Sequence, residues 1–281
     1  MMITTVVENT SITDQLGSEH GLSLYIETNG HKLLFDVGAS HLFLDNAQKL
    51  GIDIAQMEFL IISHGHYDHG GGLGMFLQEN KAAQVFAHYL AFHDYYAFRP
   101  NGDWEFVGLD KHLKKHKQIK LTADEMIVCG GVELFAGVAH KSPLPSSNNN
   151  LYMGKIEDMN LQKDNFAHEQ NLIIREDGLS LLVTGCAHNG IVNILEHFYQ
   201  MKGYMPDYVI GGLHLYNRTT KESEDPKIID SLGEYLLSTK AKYYTCHCTG
   251  KEPYQRLKSI MGERIDYIST GSKVVIGSSK Q

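Results

Sequence analysis

The chain of 281 residues has an ordinary globular composition, with 42% hydrophobic and 21% charged residues. Its net charge of −8 and pI near 6.0 argue against broad nucleic-acid binding, which needs a basic surface. No stretch reaches the ~20 apolar residues that span a bilayer, and the N-terminus lacks the basic and apolar segments of a signal peptide. We therefore expect a cytoplasmic protein that binds a small-molecule substrate and no membrane, and we do not expect broad binding to nucleic acid. Its four cysteines form no CxxC pair and are expected to be free thiols.

The first ninety residues alternate apolar strands with two short helices. One helix is predicted over 40–51, with Ser40 as its N-cap and Gly51 as its end, and another over 73–80. Asn29 and Gly30 predict a hairpin turn. Strands are predicted over 3–10, 22–28, 31–38, 57–63 and 83–89.

The middle of the chain is less regular, and strands and helices alternate again after it. We interpret residues near 93–120 and 141–165 as insertions into a single domain that spans 1–281. Two strand-rich halves, each with helices, predict an α/β fold in which two sheets pack together with helices outside. In the second half, β-rich segments are predicted over 170–176, 179–185, 207–215, 241–250 and 264–277, and helices over 190–203, 225–238 and 251–261.

One short segment concentrates side chains that can bind a metal ion. SHGHYDHGGG, at 63–72, places His64, His66, Asp68 and His69 within six residues at the end of a predicted strand. Gly65 permits a tight turn, so the first two histidines can point to one side of the loop. Imidazole and carboxylate suit Zn, Fe or Mn, and these four groups can leave a coordination position open for water. The segment therefore predicts a catalytic metal site.

SHGHYDHGGG resembles the HxHxDH signature of the metallo-β-lactamase-fold superfamily, and the order of strands and helices extends the resemblance over nearly the whole chain. The resemblance implies an αββα four-layer sandwich of two mixed β-sheets flanked by helices. It also implies that His64 and His66 bind one metal ion, and that Asp68 and His69 bind a second.

Other positions acquire roles from the same resemblance. LLFDVG places Asp36 beside the metal loop, where it would orient a histidine or the loop backbone. TGCAHNGIVNI and YYTCHCTG offer His188 to the first ion and His247 to the second. Family members commonly carry a bridging aspartate where this chain has Cys186, so either another group bridges the ions or one ion is weakly bound or absent. His214, in IGGLHL, would approach the substrate or the metal, or cap a strand.

The segments TGCAHNGIVNI, GGLHL, HCTG and STGSKVVIG narrow the resemblance to the branch named after 7,8-dihydropterin-6-yl-methyl-4-(β-D-ribofuranosyl)aminobenzene 5′-phosphate synthase. This implies a metal-dependent hydrolase or transferase acting on a small phosphate-bearing or pterin-like molecule. One or two divalent ions are expected, Zn with Fe or Mn as alternatives, with Asp68 as the catalytic group that orients an attacking water.

Several interpretations stay open at this point. Cys246 and Cys248 flank His247, which leaves an iron-dependent redox enzyme as an alternative, beside an RNA or phosphodiester nuclease and a non-catalytic metal-binding protein; a homo-oligomer is also open. His168 and Glu169 are interpreted as structural or pocket-lining residues. Four lysines could contact phosphate or form a solvated helix face: Lys111, Lys114, Lys115 and Lys117.

Overall fold

The computed structural model describes residues 1–156 and 160–277. Its strands are β1 (Met2–Val7), β2 (Ser23–Thr28), β3 (His31–Phe35), β4 (Phe59–Ile62), β5 (Gln84–His88), β6 (Tyr95–Phe98), β7 (Trp104–Phe106), β8 (Ile119–Thr122), β9 (Glu125–Cys129), β10 (Val132–Phe135), β11 (Leu151–Lys155), β12 (Asn160–Lys163), β13 (Asn171–Glu176), β14 (Leu179–Val183), β15 (Tyr208–Gly211), β16 (Tyr216–Asn217), β17 (Glu222–Ser223), β18 (Lys242–Thr245), β19 (Ile265–Tyr267) and β20 (Lys273–Val275). The helices are α1 (Leu42–Leu50), α2 (Tyr67–Gly70), α3 (Leu73–Glu79), α4 (Ile191–Lys202), α5 (Pro226–Ser238) and α6 (Lys251–Met261).

Two seven-stranded mixed sheets form the centre of the molecule. The first has the order β20-β1-β2-β3-β4-β5-β8, and the second the order β19-β18-β15-β14-β13-β10-β9. In the first sheet, β3, β4, β5 and β8 run parallel to one another. In the second, β14, β15, β18 and β19 do so. Parallel strands bring their carboxyl ends to the same edge, so each sheet presents one edge of loops on which a site can be built.

The layers follow from the alternation of side chains along buried strands. Leu33 and Leu181 face the apolar core between the two sheets, whereas their neighbours Leu34 and Leu182 face the outer helices. The helices α1 and α3 cover the first sheet, and α4, α5 and α6 cover the second. The predicted αββα four-layer sandwich is therefore confirmed.

The two predicted insertions contain regular structure that the sequence pattern did not reveal. The strands β6 and β7 of the first insertion pair with β11 and β12 of the second in a four-stranded sheet, in the order β12-β11-β6-β7. The strand β8 begins at Ile119, at the end of the first insertion, and pairs with β5 in a central sheet. Residues 157–159 of the second insertion, and 278–281 at the end of the predicted domain, lie outside the described residues.

Local signals of the N-terminal half are largely confirmed. Asn29 and Gly30 have φ of 51° and 80°, the left-handed values that a tight hairpin turn requires. Gly51 ends α1 at a φ of 73°. The predicted N-cap was wrong by one residue: the cap position is His41, although Ser40 Oγ still accepts a hydrogen bond from the Leu42 amide at 3.1 Å. Within the described residues, no helix has the length and apolar character needed to cross a bilayer.

Candidate metal centre

The predicted site residues converge where strand ends of the two sheets meet. In the first sheet, Asp36 follows β3 and the 63–72 segment follows β4. In the second sheet, Cys186 and His188 follow β14, His214 follows β15 and His247 follows β18. All of these side chains are buried except that of His214, which is partly exposed.

Three imidazoles form the first candidate ligand group. Ring nitrogens of His64, His66 and His188 lie within 4.8 Å of one another. The Nε2 atoms of all three are buried and have no hydrogen-bond partner among the described residues. A buried polar nitrogen without a partner costs about 1–3 kcal/mol, so three of them at one point need a compensating contact. A divalent cation would supply it, and the donor set therefore fits a metal ion.

Two asparagines hold His188 and His247 in the same way. Asn148 donates from Nδ2 to the His188 carbonyl oxygen at 2.8 Å, and its Oδ1 lies 2.8 Å from His188 Nδ1. Asn9 grips His247 by the same pair of atoms, at 3.2 and 2.8 Å. Because an amide oxygen only accepts, each ring carries its proton on Nδ1 and directs a bare Nε2 into the site.

Asp36 fixes which ring nitrogen carries a proton in two histidines of the first sheet, His64 and His69. Its fully buried carboxylate accepts from the amide and hydroxyl of Ser63, both at 2.7 Å, and from His69 Nδ1 at 2.6 Å. Since the Ser63 hydroxyl donates to Asp36, it accepts from His64 Nδ1, which lies 2.8 Å away. One carboxylate thus holds a proton on Nδ1 of both imidazoles, so that Nε2 is the nitrogen that each ring can offer to a metal.

The second candidate ligand group surrounds Asp68. Oδ2 of Asp68 lies 3.3 Å from His247 Nε2, 3.9 Å from His69 Nε2 and 3.2 Å from Nε2 of His20, a residue that the sequence analysis did not single out. Burial alone would raise the pKa of Asp68, but the surrounding imidazoles hold it well below its usual range. Burial also opposes protonation of His69, yet the carboxylates of Asp36 and Asp68 raise its pKa to about 9. This negative field favours a cation.

The thiols of Cys186 and Cys248 and the imidazole of His214 lie between the two candidate ligand groups. Cys186 Sγ is 3.1 Å from His69 Nε2, and burial raises the pKa of this thiol well above its usual range. Donor atoms of Cys186, His247 and Cys248 lie within 4.8 Å of one another, as do those of Cys186, His188 and His214. The His214 ring packs 4.1 Å from that of His188, and its left-handed φ of 51° aims it inward. Cys186 and His214 thus lie at the centre, whereas Cys246 is buried in the core between the sheets.

His168 and Glu169 support the loops that carry the candidate ligands. His168 accepts from the Gly65 amide through Nδ1 at 2.9 Å, while its Nε2 lies 3.0 Å from Asp164. Glu169 accepts from the His188 amide at 2.7 Å. Gly65 cannot carry a side chain here, because a Cβ would lie 2.5 Å from a backbone oxygen.

A pocket opens from the metal centre to the surface. Arg99, Asn150, Arg218 and Thr219 line it together with the candidate ligands. Arg99 follows β6 of the small sheet and donates to the Thr219 hydroxyl, while Arg218 lies exposed near Tyr67, with 3.5 Å between Nη1 and the phenol oxygen. The pocket mouth therefore carries positive charge in an acidic protein.

The lysine-rich run lies elsewhere. Lys111 pairs with Asp94 at 3.3 Å, and Lys114 donates to the Tyr89 carbonyl oxygen at 2.9 Å. None of the four lysines is among the residues that line the pocket. The four lysines therefore fit the interpretation as a solvated face, rather than a role in phosphate contact.

A family model described as the metallo-beta-lactamase superfamily matches residues 16–143. The chain is also 30% identical over 267 residues to the 7,8-dihydropterin-6-methyl-4-(beta-D-ribofuranosyl)-aminobenzene-5′-phosphate synthase of Methanocaldococcus jannaschii, covering 85% of this chain and 88% of that protein. The chain belongs to the metallo-β-lactamase superfamily. An uncharacterized protein of the same organism is 28% identical to this chain, and the match covers 92% of this chain and 94% of that protein. Among solved structures of the superfamily, a metal-dependent hydrolase matches with a TM-score of 0.83 at 26% identity, covering 99% of this chain and 100% of its own.

These comparisons confirm the resemblance inferred from SHGHYDHGGG. Members of the superfamily are generally enzymes, and the fold implies divalent metal binding. The assignment of each ligand to an ion stays a prediction, as does the identity of the metal.

Proposed function

We propose that this chain is a metal-dependent hydrolase or transferase that acts on a small phosphate-bearing substrate. The observation that carries the proposal is the convergence of the unpartnered, buried Nε2 atoms of His64, His66 and His188 beside Asp68. Other hydrogen bonds fix the orientation of two of these rings, an arrangement typical of metal-binding histidines.

His64, His66 and His188 would hold the first ion, and Asp68, His69 and His247 the second. Imidazole and thiol donors favour Zn or Fe over Mn, which prefers oxygen ligands. When bound, such a cation lowers the pKa of a coordinated water and polarises a phosphoryl or carbonyl oxygen. Cys186 stands where family members commonly carry the bridging aspartate, so we expect the two positions to differ in affinity.

The pocket mouth supports a phosphate-bearing substrate. Arg218 is exposed, with Nη1 3.5 Å from the phenol oxygen of Tyr67, and its guanidinium can contact a phosphate by two parallel bonds. Arg99 adds a second positive charge, although Glu105 neutralises part of it at 2.5 Å. Asn150 and Thr219 offer further polar groups in the same wall. Tyr67 and Tyr216 line the pocket and provide aromatic surface for a flat ring such as a pterin.

Elemental analysis of the purified protein, coupled to a screen of phosphomonoesters, phosphodiesters, carboxylic esters and pterin phosphates, tests this proposal. We expect one to two equivalents of Zn or Fe and turnover of a phosphate-bearing compound. Arg218→Ala should raise KM for that compound about tenfold or more with a small effect on kcat, because a charge-assisted contact contributes about 1.5–3 kcal/mol. Arg256→Ala is the matched control, since Arg256 pairs with Asp230 on the surface, away from the pocket. Protein that binds no metal, or that cleaves only neutral esters, would contradict the proposal.

Iron-dependent redox chemistry is the second candidate, and the thiols of Cys186 and Cys248 inside the cluster favour it. A redox-active iron in protein purified as expressed, without turnover of any phosphate compound, would select it. A nuclease is less well supported, because a net charge of −8 opposes binding of a long polyanion.

A further inference from the structure

His20 lies on the loop between β1 and β2, which packs directly against the metal-binding segment. Nε2 of His20 is 3.2 Å from Asp68 Oδ2, and its ring lies tilted by 34° against that of His247, with centroids 4.6 Å apart. Donor atoms of His20, Asp68 and His247 all lie within 4.8 Å of one another. We propose that His20 is a fourth protein ligand of the second metal ion, beside the three residues already assigned to it. This inference rests on the proposed function.

The backbone around His20 is fixed to the site at two points. The Leu22 amide donates to the Asp68 carbonyl oxygen at 3.1 Å, and the Leu22 carbonyl accepts from the Gly38 amide at 2.9 Å. Gly21 makes this approach possible, since a Cβ there would lie 2.7 Å from the Asp68 oxygen. The loop that presents His20 is thereby held at the loop that presents Asp68, which pre-organises the two side chains.

Asn9 links the same loop to the second sheet. Its Oδ1 lies 2.8 Å from His247 Nδ1 and also accepts, more weakly, from the Gly21 amide at 3.4 Å. His20 is therefore placed relative to His247 as well as to Asp68. The Nε2 atoms of His20, His247 and His69 lie 3.2, 3.3 and 3.9 Å from Asp68 Oδ2. Together with that oxygen they are four protein donors, the number that fills a tetrahedral zinc site.

The two ion positions then differ in kind. The first has three imidazoles and keeps a place for an exchangeable ligand, as catalytic zinc sites do. The second has a full set of protein donors. Because His20 is partly exposed, with a quarter of its side chain accessible, the second ion would enter from the pocket side.

Metal titration of His20 variants tests the assignment without reference to turnover. His20→Ala should weaken binding of the second Zn²⁺ about tenfold or more, because even the loss of a group that only orients a ligand costs 10–100-fold. His20→Gln should weaken it as much, since glutamine can still donate a hydrogen bond to Asp68 but is a poor zinc ligand. His41→Ala is the control, because His41 is an exposed histidine that pairs with Asp45 at 3.3 Å. Stoichiometry is read by equilibrium dialysis with elemental analysis, and coordination by the visible spectrum of the Co²⁺ form.

Each result decides the matter. Loss of the second ion in His20→Ala and His20→Gln, with a changed Co²⁺ spectrum and a wild-type far-ultraviolet circular dichroism spectrum, supports the assignment. Wild-type affinity in His20→Ala, or loss in His20→Ala but not in His20→Gln, would overturn it and leave His20 a hydrogen-bond partner of Asp68. A wild-type protein that saturates with one ion would overturn it too, while the proposed function would stand. A wild-type protein that binds no ion would remove the proposed function as well.

Discussion

Asp36→Asn is the sharpest probe of how the protein sets the protonation of its histidines. The buried Asp36 carboxylate accepts three hydrogen bonds, from the Ser63 amide, the Ser63 hydroxyl and His69 Nδ1. An asparagine oxygen can keep the bond to the amide. The amide nitrogen that replaces Oδ2 would face the His69 Nδ1 proton, donor against donor. His69 must then give up its Nδ1 proton and keep the proton on Nε2, and that nitrogen can no longer bind a metal.

The magnitude follows from the bonds lost. A hydrogen bond to a charged group contributes about 1.5–3 kcal/mol, so the free energy of unfolding of the metal-free protein should fall by about 2–3 kcal/mol. Affinity for the second ion should fall 10–100-fold, or about 1.4–2.7 kcal/mol. The pKa of His69, which the two carboxylates raise to about 9, should drop because burial then dominates.

Urea denaturation, zinc titration calorimetry and NMR titration of the metal-free variant measure these three quantities. Backbone strain does not confuse the result, because Asp36 has a φ of 63° and asparagine tolerates the left-handed region. Asp36→Gly can adopt the same backbone conformation and removes the carboxylate altogether. It should therefore misalign histidine ligands of both ions without placing an amide donor against the His69 Nδ1 proton. Wild-type zinc affinity and an unchanged His69 pKa in Asp36→Asn would refute the reasoning.

Three further predictions concern neighbouring groups. Asp68→Asn should reduce turnover of a phosphoester substrate to near background while circular dichroism stays unchanged; a variant with full metal content and full turnover would leave Asp68 a structural residue. Asn148→Ala should weaken the first ion about 10–100-fold and spare the second, because Asn148 grips only His188; equal losses at both ions by calorimetry would contradict this. Burial lowers the pKa values of His64, His66 and His188 below 6.5, so the unfolded chain binds more protons below that pH. The metal-free protein should therefore lose stability as pH falls from about 6.5 to 5 in urea denaturation, and a flat profile would count against buried neutral imidazoles.

Residues close together in the sequence were predictable because local spacing already brings them together. His64, His66, Asp68 and His69 share one loop, and the apolar run over 57–63 placed that loop at the end of a buried strand. His188 and His247 needed the family resemblance in addition, since a single histidine after a strand is an ambiguous signal.

The residues that sequence reasoning missed reach the site through tertiary structure alone. Asn9 and Asn148 lie 238 and 40 positions from the histidines they hold. His20 and Arg218 stand in loops whose patterns give no metal or phosphate signal. The small sheet was missed for a related reason: β6 pairs with β11 across more than fifty residues, and short strands with exposed aromatic side chains resemble irregular loop.

The small four-stranded sheet carries a part of this protein that can change without altering the candidate metal ligands. Arg99 and Asn150 stand beside its strands β6 and β11, whereas the candidate ligands stand on loops of the central sheets. Substitutions in the small sheet can therefore change the range of molecules that the pocket admits, while the ion-binding loops stay unchanged. The two hairpins of the small sheet, β6–β7 and β11–β12, must change together, because Ala97 of β6 pairs with Leu151 of β11. Grafting one hairpin from a relative should fail to fold, and grafting both together should transfer its substrate preference.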